Sequence, residues 1–129
     1  MAYEIRAGPA DRLLMVVGSG TGSVQENSEI VEALFRQTVV PDPTGVLFDV
    51  RRLGYVPSPA EGRAIALTHW RWAAAHHARL AYLAPPGAQY GMARMIEMLA
   101  QSHGVEAAVF TTEEEAVLWL LAEEGGSAA

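Results

Sequence analysis

Residues 45–61 read GVLFDVRRLGYVPSPAE, and this stretch decides the fold. Gly45 to Val50 is a run of β-formers too short for a helix, which predicts a buried strand. A polar bend, Arg51 to Pro57, follows it. Ser58-Pro59-Ala60-Glu61 then opens a helix. The serine is an N-cap, the proline has the φ that a first helical position needs, and the glutamate can reach back to the serine amide. A strand followed by a helix start is the unit of a parallel α/β sheet, because the next parallel strand can be reached only by a crossover.

The same alternation continues on both sides. C-terminally, the helix is predicted to run through Ala74, with a strand at Leu80–Ala84 stopped by Pro85-Pro86-Gly87. A helix over Gln89–Ser102 faces Met92, Met95, Ile96 and Leu99 inward, with Gly104 as its C-terminal cap. Val105–Phe110 is the next strand. Thr112 and Glu115 make another capping box, opening a short helix with Ala116, Val117, Trp119 and Leu120. N-terminally, Tyr3–Arg6 and Leu13–Val17 form a hairpin around Gly8-Pro9-Ala10-Asp11, the first strand lying at an edge. Gly18 to Gly22 reads as a flexible loop. Ser23 and Glu26 then cap a helix whose buried stripe is Ile30, Val31, Leu34 and Phe35, ended by Pro41-Asp42-Pro43. The predicted class is α/β: a mixed five-stranded sheet, first strand antiparallel, with about four helices. One domain is expected over residues 1–124, with a flexible tail over 125–129.

Composition narrows the chemistry. Half of the 129 residues are hydrophobic, enough for a real core. The net charge of −6 argues against nucleic acid and anionic membranes as partners. There is no lysine, which removes Schiff-base and P-loop lysine chemistry. There is no cysteine, which removes disulfides, thiol nucleophiles and thiolate metal sites. No apolar run reaches the length of a membrane span, and Met1-Ala2-Tyr3-Glu4 does not begin a signal peptide. A cytoplasmic location, no membrane insertion and no cofactor are the expectations.

In open α/β sheets, sites gather beyond the carboxyl ends of the strands. Here that edge carries Gly20, Asp49, Arg51, Arg52, Tyr55 and Ser58, the candidate partner- or ligand-binding residues, together with Trp70 on the following helix. Gly18-x-Gly20-x-Gly22-Ser23 has the context of a phosphate cradle but fits no phosphate motif; a flexible linker is the plainer reading. Asp49 can serve as a base, ligand or cap, and Arg51 with Arg52 can hold an oxyanion, yet local hydrogen bonding and solvation account for them more simply. His69, His76, His77 and His103 have no metal-binding spacing and read as packing or surface residues. Trp70 and Trp72 make their helix apolar on more than one face, which admits a homodimer or an apolar ligand as a covering partner. No G-x-S-x-G is present, so no serine triad is expected, and no catalytic residue is assigned.

The element order and the segment from Gly45 to Glu61 resemble the STAS domain, the SpoIIAA-like fold of anti-sigma-factor antagonists and sulfate-transporter tails. That motif is an apolar strand ending in aspartate, a bend, then an Asp-Ser pair opening a helix. Here the strand is Val46 to Asp49 and the pair falls on Pro57-Ser58, with proline in the acidic position. Closer still is the STAS/Sec14-type group of uncharacterised bacterial proteins. It shares the Asp49-Val50-Arg51 strand end and the closing pattern of Phe110, Ala116, Trp119 and Leu120. The resemblance implies a non-enzymatic regulatory module acting by protein contact, with Ser58 as candidate phosphosite and a regulatory protein or the chain itself as partner. The Sec14-like side implies, as an alternative, a binder of a small apolar or amphipathic ligand. An enzyme acting on a phosphorylated small molecule at Gly18 to Ser23, with Asp49 as base and Arg51 and Arg52 on the anion, is the remaining reading.

Overall fold

The computed structural model describes residues 2–21 and 23–122. The elements are β1 (Ala2–Ala7), β2 (Leu13–Gly20), α1 (Val24–Arg36), β3 (Gly45–Leu53), α2 (Pro59–His76), β4 (Arg79–Leu83), α3 (Ala88–Ser102), β5 (Ala107–Phe110) and α4 (Glu113–Leu121). They form one five-stranded sheet whose spatial order, β1-β2-β3-β4-β5, is the chain order. β1 pairs with β2 antiparallel, and every later pair is parallel. The predicted mixed sheet with an antiparallel edge strand and four helices is what forms.

The sequential order determines the layers. Three crossovers in succession each advance one strand in the same direction. Each is right-handed, so α1, α2 and α3 all land on one face of the sheet. Accordingly α2 packs against both α1 and α3, while α4, which is not a crossover, packs on β3, β4 and β5 from the other side. Leu14, Val16, Val46, Phe48, Leu80 and Tyr82 face the three helices. Leu13, Met15, Leu47, Ala81 and Leu83 face α4, alternating with the first set as strand geometry requires. Each fully buried leucine or valine stabilises the fold by about 2 kcal/mol relative to exposure.

The helix starts follow their sequence signals. Ser58 and Glu61 form the reciprocal box: Glu61 N–H donates to Ser58 Oγ at 3.2 Å, and Ser58 N–H donates to Glu61 Oε1 at 2.9 Å. Ser23 and Thr112 likewise accept from the amides of Glu26 and Glu115. The Glu115 carboxylate, however, accepts from the Thr112 hydroxyl at 2.8 Å.

Three expectations need correction. The glycine segment is not a loop from Gly18 onward, because β2 continues through Gly20. Likewise Arg51, Arg52 and Leu53 belong to β3 and not to a bend. The cause is a bulge: Val17 pairs with Asp49, but Ser19 pairs with Arg52, so β3 carries one extra residue. Gly20, at φ 76°, closes the arrangement by accepting from Gly54 N–H at 2.8 Å. Phe35, placed in the buried stripe of α1, is instead half-exposed and lies against the His76 ring at 5.8 Å. It follows Leu34 at a helix end with only one neighbouring helix, so one side stays open. Gly22 and the tail residues 125–129 lie outside the described residues.

Candidate functional site

α1, α2 and α3 diverge near the carboxyl ends of β2, β3 and β4 and leave a pocket of about 110 Å³ against the sheet. Phe48 and Tyr82 rise from the strands. Asn27 and Ile30 enter from α1, Ile65 and His69 from α2, and Met92, Ala93 and Ile96 from α3. The β3–α2 connection covers it with Leu53, Tyr55 and Pro57. Gln89 fixes that cover, because its side-chain amide donates to Leu53 O at 2.9 Å and to Tyr55 O at 2.8 Å. The strand order never reverses, so there is no switch-point crevice at the open edge of the sheet. The cavity lies between layers, beneath the loops where a site was expected.

A neutral polar network lines the pocket. His69 is buried and stacks on Phe48, with centroids 4.3 Å apart and planes 6° apart. Its Nδ1 lies 2.9 Å from the Tyr82 hydroxyl and its Nε2 lies 2.8 Å from Asn27 Oδ1. The chain beyond Asn27 sets the proton positions. The Asn27 amide nitrogen donates to Thr68 Oγ1 at 3.1 Å, and Thr68 donates its own proton to Ile65 O at 2.7 Å. Asn27 Oδ1 is therefore an acceptor, His69 carries its proton on Nε2, and Tyr82 donates to the bare Nδ1. Burial pushes His69 down to about 3 and pushes the Tyr82 phenol up, so both stay uncharged.

The next residue along β3 behaves in the opposite way. Strand alternation turns Asp49 to the α4 side, with Leu47. Burial alone would raise its pKa, but Arg51 outweighs that and holds the carboxyl below its ordinary value. Asp49 Oδ1 accepts from Arg51 N–H at 3.1 Å and from Arg51 Nε at 3.0 Å, and Oδ2 accepts from the Arg51 guanidinium at 2.9 Å. The buried carboxylate is thus neutralised by a residue two positions on.

Tyr55 links the pocket to the surface. Its hydroxyl is buried and makes no hydrogen bond of good geometry. Burial, and then the neighbouring Glu61 carboxylate, push the phenol up. The Glu61 carboxyl is held below its usual range, first by the Ser58 amide and then by the Tyr55 hydroxyl. Ser58 itself is exposed at the helix N-terminus.

The expected site residues therefore divide. Tyr55 lines the pocket, whereas Asp49 meets it only at the strand, its carboxylate turned to the other face. Arg51 is committed to Asp49, and Arg52 is exposed in β3 opposite Ser19. Gly20 serves the sheet, so the phosphate-cradle reading loses its loop. The proposed base, Asp49, and the proposed anion clamp, Arg51, are bound to each other. Trp70 and Trp72 leave no wet face to cover. Both are buried within the three-helix layer, stacked on His103 at 4.5 Å and on His76 at 4.4 Å. Their helix is the middle one of three, and neither tryptophan lines the pocket. Sequence reasoning missed Asn27, Phe48, His69 and Tyr82 as a group. The available signal was positional: His69 falls on the stripe Gly62, Ala66, His69, Ala73, which is buried.

Among the described residues, no three His, Asp or Glu side chains gather to hold a metal ion. Among them too, no helix is long and apolar enough to cross a membrane. No protein-family model matches the chain. No curated protein matches it in sequence. Solved structures do match. An uncharacterised DUF3478-family protein with a SpoIIAA-like fold, from Shewanella loihica PV-4, superposes with a TM-score of 0.55 at 17% identity over 92% of each chain. The anti-sigma factor antagonist SpoIIAA in its unphosphorylated form superposes with a TM-score of 0.55 at 20% identity, covering 90% of this chain and 93% of that one. The chain has a SpoIIAA-like α/β fold, as its resemblance to STAS domains implied.

Proposed function

We propose that the protein is a STAS-type regulatory module that works by contact with another protein, not by turnover, through the surface around Ser58. The observation that carries this reading is the build of the β3–α2 connection. Ser58 is exposed, its backbone is fixed by the capping box, and the preceding segment is pinned by two hydrogen bonds from Gln89. A partner therefore meets a preformed surface and loses little free energy ordering it. One protein of this fold, SpoIIAA, is an anti-sigma factor antagonist described in its unphosphorylated form, which supports both the contact role and Ser58 as phosphosite.

Phosphorylation there would act through Glu61. The helix dipole favours a phosphate at Ser58, but the Glu61 carboxylate already sits on the Ser58 amide and repels it. The modified side chain would displace Glu61 and redraw the surface. The test is affinity capture from extracts of the source cells with wild-type, Ser58→Ala and Ser58→Asp proteins. Wild type and Ser58→Ala are expected to retain a partner that Ser58→Asp loses. The same partners on all three would overturn the reading.

A further inference from the structure

We propose that the pocket beneath the β3–α2 connection is a binding site for one small neutral molecule, an aromatic or compact aliphatic alcohol whose hydroxyl pairs with Tyr55. Three observations lead there. The first is space. An apolar cavity of about 150 Å³ accepts a benzene ring, and this one, about 110 Å³ and lined mainly by carbon, is of the same order.

The second is charge. The polar groups on the pocket wall are satisfied by one another: Tyr82 donates to His69, His69 to Asn27, and Asn27 to Thr68. His69 stays neutral, so no cation inside the pocket awaits an anion. The Glu61 carboxylate, beside the pocket-lining Tyr55, repels one, while the Asp49 carboxylate is turned to the other face and held by Arg51. The third is the Tyr55 hydroxyl, which is buried on a pocket-lining residue without a hydrogen bond of good geometry. A ligand hydroxyl offers it a better-aligned partner than the neighbouring Glu61 carboxylate, and a hydrocarbon does not.

The site also lies one side chain from the Ser58 capping box. Tyr55 covers the pocket and neighbours Glu61, and Glu61 holds the Ser58 amide. A hydroxyl that draws Tyr55 away from Glu61 changes the field on that carboxylate. This coupling rests on the contact surface proposed above; ligand binding itself does not.

The experiment is a titration of the ¹⁵N-labelled protein with benzyl alcohol, toluene and benzoate, three molecules of similar size, followed by amide chemical shifts. Benzyl alcohol is expected to bind saturably, shifting amides of Ile30, Ile65 and Ala93. Toluene should bind about fivefold more weakly, the worth of one hydrogen bond, and benzoate should not bind. Tyr55→Phe should make the alcohol and toluene equal, while Ala93→Leu should weaken both by filling the cavity. Loss of shift dispersion identifies a variant that fails to fold, and the three-ligand series on wild type stands without it. The proposal falls if no neutral probe saturates, if benzoate binds as well as the alcohol, or if Tyr55→Phe keeps the alcohol's advantage. Such a failure would leave the partner-capture result untouched, so the two readings fail separately.

Discussion

Two adjacent residues of β3 show how the same strand end handles polarity in two ways. On one face, Phe48 leads into His69, Tyr82 and Asn27, a buried network that carries no charge. On the other, Asp49 is ionised and held by Arg51. The first face is sealed by three helices, where an unpaired charge would be too costly, so neutrality is enforced by burial. The second is covered by one helix of nine residues, and its arginine reaches solvent. What can be ionised therefore depends on how thickly each face is covered.

The largest expected effect lies on the neutral face. His69→Ala removes the ring from Phe48 and leaves the Tyr82 hydroxyl and the Asn27 carbonyl without their partner. A loss of about 3–5 kcal/mol in urea unfolding is expected. The pH dependence gives a sharper check. His69 titrates near 3 in the fold but at its ordinary 6.5 when unfolded. Between those values the unfolded chain binds the extra proton, so stability is full above about pH 6.5 and is lost as the pH falls towards 3. The loss at pH 5 should be about 2 kcal/mol. In His69→Gln this part of the slope should vanish. An unchanged slope in that variant would mean that the histidine is not held neutral.

On the charged face the effects are smaller and asymmetric. Arg51→Ala leaves a buried carboxylate without its guanidinium, and about 2 kcal/mol should be lost. Asp49→Asn keeps an acceptor for the Arg51 amide while the guanidinium turns to water, so about 1 kcal/mol is expected. The sign of the pH effect also separates the faces. Asp49 has a lowered pKa, so its contribution is present above its unfolded value of 3.8 and is lost as the pH falls through the folded value. Acid titration of His69→Gln should therefore be flat until the carboxylates protonate. If Asp49→Asn proved the costlier substitution, the carboxylate would not be the buried partner.

The same contrast explains what could be read from the chain. The Ser58–Glu61 box spans three residues and was visible as local pattern, as was the bond from a local amide to Asp49, but the Arg51 guanidinium, expected in solvent, pairs with Asp49 instead. The strand–helix alternation and three capped helix starts gave the fold class for the same reason. The neutral network joins residues 27, 68, 69 and 82 from three elements, and only the right-handed crossovers bring them to one face. No local spacing encodes that meeting. The bulge was hidden for a similar reason, since it depends on the register of β3 against β2. Its glycines looked like a loop because glycine serves both roles. What covers Trp70 and Trp72 stayed open between neighbouring helices and an outside partner, because a helix lying between two others is a fact of strand order and not of helix periodicity.

The smallest stability effect is expected at Ser58, where the functional effect should be largest. Ser58→Ala removes the oxygen that accepts from the Glu61 amide, and about 1 kcal/mol should be lost. Ser58→Asp keeps an acceptor at the N-cap and adds charge at the positive end of α2, while setting that charge against Glu61. These effects oppose one another, and stability should stay within about 0.5 kcal/mol of wild type. The pair separates folding from recognition. If the surface around Ser58 is read by a partner, the less stable alanine variant keeps the partner and the more stable aspartate variant loses it. A ranking of partner retention that followed the unfolding free energies would instead mean that Ser58 matters only as a cap.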